Sequence, residues 1–304
     1  MFFALSFILL SGGAFALPEL PSAPLDPAHP GSKVYPFSFN EQKLTCLGRD
    51  VVLFLPILPA STMDRIPVVV YGHGQALELE NYRGTLEHLA RKGVASVFHR
   101  YDKGFFDQDW ERMGRDYVNV AACALESIQE IVNLDQVVFS GHSKGAYVAS
   151  MAAGIAFKEN LKLKPQALII FNPAGADAEI IKEIAPTTAV TVVYSDQDTV
   201  VKRSISETIY QNARSERKQF IFVRSYLGIT STDLKAGHFW ALTKKSVFGG
   251  GAESALHYYG SWKWLTAGAL DLGSSERFED PYLYGNLAAE KGLPNFTDQI
   301  FRNW

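Results

Sequence analysis

A serine hydroxyl acts as a nucleophile at neutral pH only when a base can take its proton and a carboxylate can orient that base. Residues 137–140, Val137-Val138-Phe139-Ser140, run directly into Gly141-His142-Ser143-Lys144-Gly145, and from Ala146 onward the apolar residues recur at helical spacing. A G-x-S-x-G sequence between a strand and a helix makes a tight, strained turn. Small residues must flank the serine, and the strain holds its hydroxyl above the sheet. Ser143 is therefore the candidate nucleophile, against the plainer reading in which Gly141 and Gly145 only make a turn.

The base and the acid must come from later in the chain. His238 lies in Ala236-Gly237-His238-Phe239-Trp240, a loop after the last β-branched run, where an imidazole can face Ser143. His257 sits among Tyr258, Tyr259 and Trp262 in a helical stretch and reads as a core or surface histidine. The strand Thr191 to Tyr194 exits through Ser195-Asp196-Gln197-Asp198-Thr199-Val200-Val201, where two carboxylates compete. Asp198 leaves room for a turn to aim its carboxylate at the imidazole. Asp196, nearer the strand, is expected to cap that turn. Acyl transfer also needs two backbone N–H groups aimed at the developing oxyanion. Lys144 supplies one, and the loop Tyr71-Gly72-His73-Gly74-Gln75 supplies the second from Gln75, with Gly74 as the alternative. A phosphate-binding loop is the rival reading there, but neither glycine-rich phosphate pattern is completed.

The side chain of Lys144 breaks a local rule, because a cation in a helix's first turn opposes the macrodipole. It extends to solvent, pairs with an acidic neighbour, or borders the pocket and favours substrates with a remote carboxylate. The remaining histidines have structural readings: His29 in a proline-rich stretch, His88 on a helix, His99 at a strand end, and His142 packed inside the turn. None forms a metal-binding pair, so neither a metal nor a cofactor is expected.

The elements around these residues alternate. Strands are expected at Lys43 to Cys46, Val51 to Leu55, Val68 to Tyr71, Val94 to Phe98, Val137 to Ser140, Ala167 to Phe171, Val190 to Tyr194 and Phe220 to Val223. The first two suit an antiparallel hairpin. Helices fit at Asn81 to Lys92, Glu111 to Val132, Ala146 to Lys158, Ser204 to Ala213 and Glu253 to Ala269. Alternation of this kind implies an α/β fold: an eight-stranded, mostly parallel, doubly wound sheet whose ligand site lies beyond the carboxyl ends of the strands.

The 304 residues carry 29 basic and 32 acidic side chains, a formal charge of -3, and 47% hydrophobic residues. Without a basic patch, nucleic acid is not an expected partner. Met1 to Ala16, MFFALSFILLSGGAFA, reads as a signal peptide ending in an A-x-A site, although no Lys or Arg precedes its apolar run. The run is too short to span a bilayer, so a secreted or periplasmic protein without stable membrane insertion is expected. Pro18, Pro21, Pro24, Pro27 and Pro30 share one edge of a polyproline II segment, and Leu17 to Lys33 reads as a linker or strap ahead of a single domain from Val34. Cys46 and Cys123 could pair in an oxidising compartment, but nothing in the sequence brings an early strand to a helix centre, and two free buried thiols are the expectation.

With Ser143, Asp198 and His238 in that chain order, the sequence resembles the α/β-hydrolase superfamily from about Val34 to the end of the last long helix. The His73-Gly74 loop, the helix at Asn81 to Lys92 followed by Val94 to Phe98, the Gly-His-Ser-Lys-Gly turn and Phe171-Asn172-Pro173 are similar to the chlorophyllase, polyester-hydrolase and dienelactone-hydrolase-like branch. That resemblance implies serine hydrolysis of small carboxylic esters through an acyl-enzyme. A non-catalytic binding protein or a serine peptidase on the same fold is the alternative. The sequence departs from the pattern at Ser195, where a glycine is usual, and at Ala146, where a second glycine is usual. The tail from Asp271 to Trp304 resembles nothing placeable. Pro173 to Ala189 holds one short helix where many lipases insert a lid, so an open pocket is expected, with Phe98, Tyr101, Phe105, Phe106 and Trp110 either walling it or packing as core.

Overall fold

The computed structural model describes residues 22–59, 65–225 and 234–270, together with the backbone of 297–303. The expected signal peptide, the first residues of the proline-rich segment and most of the tail lie outside the described residues.

Two hairpin strands, β1 (Ser38–Cys46) and β2 (Arg49–Ile57), precede β3 (Ile66–Gly72), α1 (Leu79–Arg91), β4 (Ala95–His99), α2 (Trp110–Glu126) and β5 (Val132–His142). There follow α3 (Lys144–Lys158), β6 (Ala167–Phe171), α4 (Ala178–Ile181), β7 (Ala189–Ser195), α5 (Arg203–Asn212), β8 (Lys218–Val223), α6 (Trp262–Leu270) and β9 (Thr297–Asn303). They form one sheet in the order β1-β2-β4-β3-β5-β6-β7-β8-β9. Strands β4, β3, β5, β6, β7 and β8 are mutually parallel, while β2 joins antiparallel at β4 and β9 antiparallel at β8. The first eight strands, with a strand–serine turn–helix unit at β5, have the architecture of an α/β-hydrolase fold.

Alternation along each strand divides the core between the two faces. Val68 and Val70 point with Phe139 into a cluster that contains Tyr117 and Ala121 of α2 and Ala149 and Ala153 of α3. Val69 and Tyr71 point the other way, toward Tyr82, Leu86 and Leu89 of α1 and Leu265 of α6. After β3 the chain winds outward to β4, and then returns to place β5 on the opposite side of β3. The winding direction therefore reverses between β3 and β5, and the crevice opened by such a reversal is where open α/β sheets bind ligands.

Several expectations are corrected. Helix α2 ends at Glu126 rather than Val132, because Ser127 turns back to the Ala124 carbonyl (2.7 Å) and Val132 pairs with Ile66 as the first residue of β5. The last helix is not continuous: His257–Ser261 is a π-helical segment with non-helical backbone at Gly260, and α6 starts after it. The sheet gains a ninth strand from the tail, which covers the edge that β8 would otherwise present.

Residues 22–33 are docked on the domain, so that part of the proline-rich segment is a strap. The Lys92 ammonium donates to the carbonyls of Pro27 (3.0 Å), His29 (3.2 Å) and Val34 (3.1 Å), and the His88 imidazole meets that of Pro30 (2.8 Å). Burial lowers the Lys92 ammonium to about 8.

The cysteines also differ from expectation: Cys46 and Cys123 form a disulfide, with Cα atoms 5.8 Å apart. The hairpin folds over α2, so the end of β1 meets the middle of that helix, a contact of high sequence separation that no local pattern encodes. Closing a long loop restricts the unfolded chain and stabilises the fold by about 2–4 kcal/mol. The Cys46→Ser/Cys123→Ser variant should lose that amount in urea denaturation, as should the reduced parent protein. An unchanged midpoint in both would show that the bridge contributes nothing.

Candidate active site

Ser143 has φ 56° and ψ −119°, a conformation that a side-chain-bearing residue adopts only under constraint. The constraint comes from both sides. Its N–H donates to Phe171 O of β6 (3.0 Å), and its carbonyl accepts from the N–H groups of Tyr147 and Ala174 (both 3.1 Å). Glycine is obligatory two residues later: a Cβ on Gly145 would lie 2.2 Å from Gly72 O and 2.6 Å from His73 O. The α3 N-terminus is thereby seated against the end of β3. Ala146, the departure behind the turn, is fully buried in the core beneath α3.

The three residues proposed from sequence meet at the carboxyl ends of β5, β7 and β8. Ser143 Oγ lies 2.9 Å from His238 Nε2, and His238 Nδ1 lies 2.7 Å from Asp198 Oδ2. In the neutral imidazole, Nδ1–H donates to the carboxylate and Nε2 accepts the serine proton. All three are secluded: Ser143 is 8% and His238 4% exposed, and the Asp198 side chain 0%.

Asp198 is held at both oxygens. Oδ1 accepts the N–H groups of Val200 (2.8 Å) and Val201 (3.0 Å), while Oδ2 accepts His238 and the Asn172 amide. Burial pushes the carboxyl up, but the hydrogen bonds from His238, Val201 and Asn172 outweigh it, and the net shift is below the usual carboxylate range. Asp196 turns elsewhere: its oxygens accept the Ser225 N–H (2.9 Å) and hydroxyl (2.7 Å), tying the ends of β7 and β8 together. Its capping partner is thus in the neighbouring strand's exit loop.

Sequence reasoning missed Asn172 and the use made of Ser195. Asn172 Nδ2 donates to Ser195 Oγ (2.5 Å) as well as to Asp198, and Ser195 Oγ in turn reaches Gly237 O (3.4 Å). The serine that replaces the usual glycine links the acid's neighbour to the histidine loop. The Asn172-Pro173 step after a strand was the available signal in the sequence; in the structure Asn172 takes φ 47°.

The oxyanion alternatives separate cleanly. The Gly74 N–H donates to the Tyr82 hydroxyl (2.8 Å) and is unavailable, so of the two expected second donors only the Gln75 N–H remains a candidate. The Gln75 side chain donates to Phe105 O (2.9 Å), fixing the loop after β4 beside it. Lys144 runs inward rather than to solvent or the pocket. Its ammonium is 3.2 Å from Asp102 Oδ2 and 3.3 Å from Asp107 O, with both ion-pair side chains 2% exposed. The preference for anionic substrates expected of a pocket-bordering lysine loses its basis. The aromatic residues divide: Phe98 and Tyr101 are core, whereas Phe105 and Phe106 are 52% and 87% exposed. His257 is fully buried, its Nδ1 accepting from the Ser254 N–H (3.2 Å), and is a core histidine.

Asp198→Asn should cost about 10⁴-fold in turnover of an ester substrate, because the amide no longer fixes the imidazole's tautomer and orientation. Asp196→Asn, which keeps an acceptor for Ser225, should cost far less. The opposite ranking in steady-state kinetics would exchange the two roles.

No protein-family model matches this chain, and no curated protein matches it. Among solved structures it is similar to Est1E from Butyrivibrio proteoclasticus, with a TM-score of 0.47 and 14% identity over 66% of this chain and 90% of that chain.

Proposed function

We propose that this chain is an exported serine hydrolase that cleaves carboxylic esters through an acyl-enzyme. The observation that carries the reading is the unbroken line Ser143 Oγ, His238 Nε2, His238 Nδ1, Asp198 Oδ2, with links of 2.9 and 2.7 Å at the end of a strained turn. Ser143 attacks the ester carbonyl as His238 takes its proton. The N–H groups of Lys144 and Gln75 hold the oxyanion. Collapse of the tetrahedral intermediate expels the alcohol, which takes the proton back from His238, and water then repeats the cycle on the acyl-serine. No step requires a cofactor. A non-catalytic binding protein has no chemical need for a strained serine or for the carboxylate line behind His238.

Export is supported by the A-x-A-terminated apolar segment and by the Cys46–Cys123 disulfide, a bond that persists in oxidising compartments. A fluorophosphonate should label Ser143 once per folded chain and abolish esterase activity in step. Absence of labelling in folded protein would favour the binding-protein reading.

The substrates are short, soluble esters. Between β6 and β7 the only helix is α4, with four residues, which leaves no segment there to lie over Ser143 as a lid. Rates on p-nitrophenyl esters should fall with acyl length and pass smoothly through the micellar threshold. A jump at that threshold would refute the open pocket.

A further inference from the structure

His142 precedes the nucleophile and packs its ring against that of His238, with centroids 4.9 Å apart, and Tyr82 is in the first turn of α1; both are fully buried. Between them every proton can be assigned. His142 Nε2 lies 2.8 Å from the carbonyl oxygen of His238, which can only accept, so Nε2 carries the hydrogen. A neutral imidazole has one N–H, so Nδ1 is an acceptor. Burial holds the His142 imidazole down to about 3, so it is neutral at any working pH. The Tyr82 hydroxyl, 3.0 Å from Nδ1, donates to it and at the same time accepts the Gly74 N–H at 2.8 Å. The hydrogen-bond chain runs Gly74 N–H to Tyr82 O–H to His142, and from His142 Nε2–H to His238 C=O.

Its ends are the two pieces of backbone that the chemistry needs in register with Ser143. Gly74 immediately precedes Gln75, whose N–H is the second oxyanion donor, and His238 is the base itself. Its middle is covalently attached to the nucleophile. Gly74 fits because it lacks a side chain: a Cβ there would lie 3.1 Å from the Tyr82 hydroxyl and 3.2 Å from His142 Nδ1. We propose that Tyr82 and His142 are positioning residues that lock the oxyanion loop and the His238 backbone to the nucleophile turn, a role that rests on the ester-hydrolase reading.

Removing the Tyr82 hydroxyl leaves a buried N–H and a buried imidazole nitrogen without partners, so the Gly74-Gln75 loop must shift to recover them. A displacement of about 1 Å at such a site costs about a hundredfold. Tyr82→Phe should lower kcat on a p-nitrophenyl ester about tenfold to a hundredfold while KM stays within about twofold, because the damage falls on the transition state. Fluorophosphonate should still label Ser143 once per chain, at a rate reduced in parallel. A folded Tyr82→Phe protein with the parent's kcat and undiminished labelling would overturn the positioning role alone, while failure of the parent protein to label would overturn the hydrolase reading and this role with it. Should Tyr82→Phe not fold, ¹⁵N-histidine spectra of the parent protein decide. His142 is expected as the Nε2–H tautomer, unchanged between about pH 5 and 9. An Nδ1–H tautomer, or titration within that range, would overturn the proposal.

Discussion

The approach of Gly145 to the end of β3 is the contact on which the rest of the site depends. With a would-be Cβ 2.2 Å from Gly72 O, helix α3 can start only if residue 145 has no side chain, and only then can Ser143 stand at φ 56° above the sheet. The same contact places the loop after β3 beside the nucleophile. Gln75 and Lys144, the two proposed oxyanion donors, thus follow strand ends that this contact holds together, although they belong to different strand exits. The pairing of Gly72 with Gly141 in the β3–β5 ladder fixes that proximity in register. A strained residue persists only where its surroundings over-determine it, and here two glycines and three backbone hydrogen bonds do so.

Lys144 extends the constraint outward. Burying an ammonium is costly unless it is paired, and Asp102 is its partner at the start of the loop that leads from β4 to α2. The pair fastens that loop to the residue that follows the nucleophile. Phe105, three residues later, offers its carbonyl to the Gln75 side chain, so the loop in turn braces the residue proposed as the second oxyanion donor. A cation unfavourable for the helix dipole is thus accommodated where its side chain ties the start of α3 to the loop between β4 and α2.

Much of this was legible in the sequence because the signals were local. The Gly-His-Ser-Lys-Gly turn, the strand exits and the alternation of β-branched runs with amphipathic ones need only neighbouring residues to be read. The choice of Asp198 over Asp196 also followed from local spacing, and the structure shows what separates them: one turns to His238, the other to Ser225. What was not legible depends on contacts across the sheet. The Cys46–Cys123 bridge joins residues 77 apart, the end of α2 was decided by β5 claiming Val132, and the partner of Lys144 sits 42 residues upstream. Ser195 looked like a defect in a glycine position because its two partners, Asn172 and Gly237, belong to other loops.

His238, the proposed base, presents the hardest positioning problem, since it comes from a loop far along the chain rather than from a strand. Three consecutive carbonyls solve it. Ala236 O accepts Gln197 N–H (3.1 Å), Gly237 O accepts the Ser195 hydroxyl (3.4 Å), and His238 O accepts His142 Nε2–H (2.8 Å). The first two donors, Gln197 and Ser195, belong to β7 and its exit loop, which carry Asp198, and the third to the turn that carries Ser143. The histidine backbone is therefore indexed separately to each of its two partners, and its ring then bridges them through Nδ1 and Nε2. A loop so held needs no regular secondary structure of its own, because its geometry is inherited from β5 and β7, whose carboxyl ends are fixed by the intervening β6 ladder.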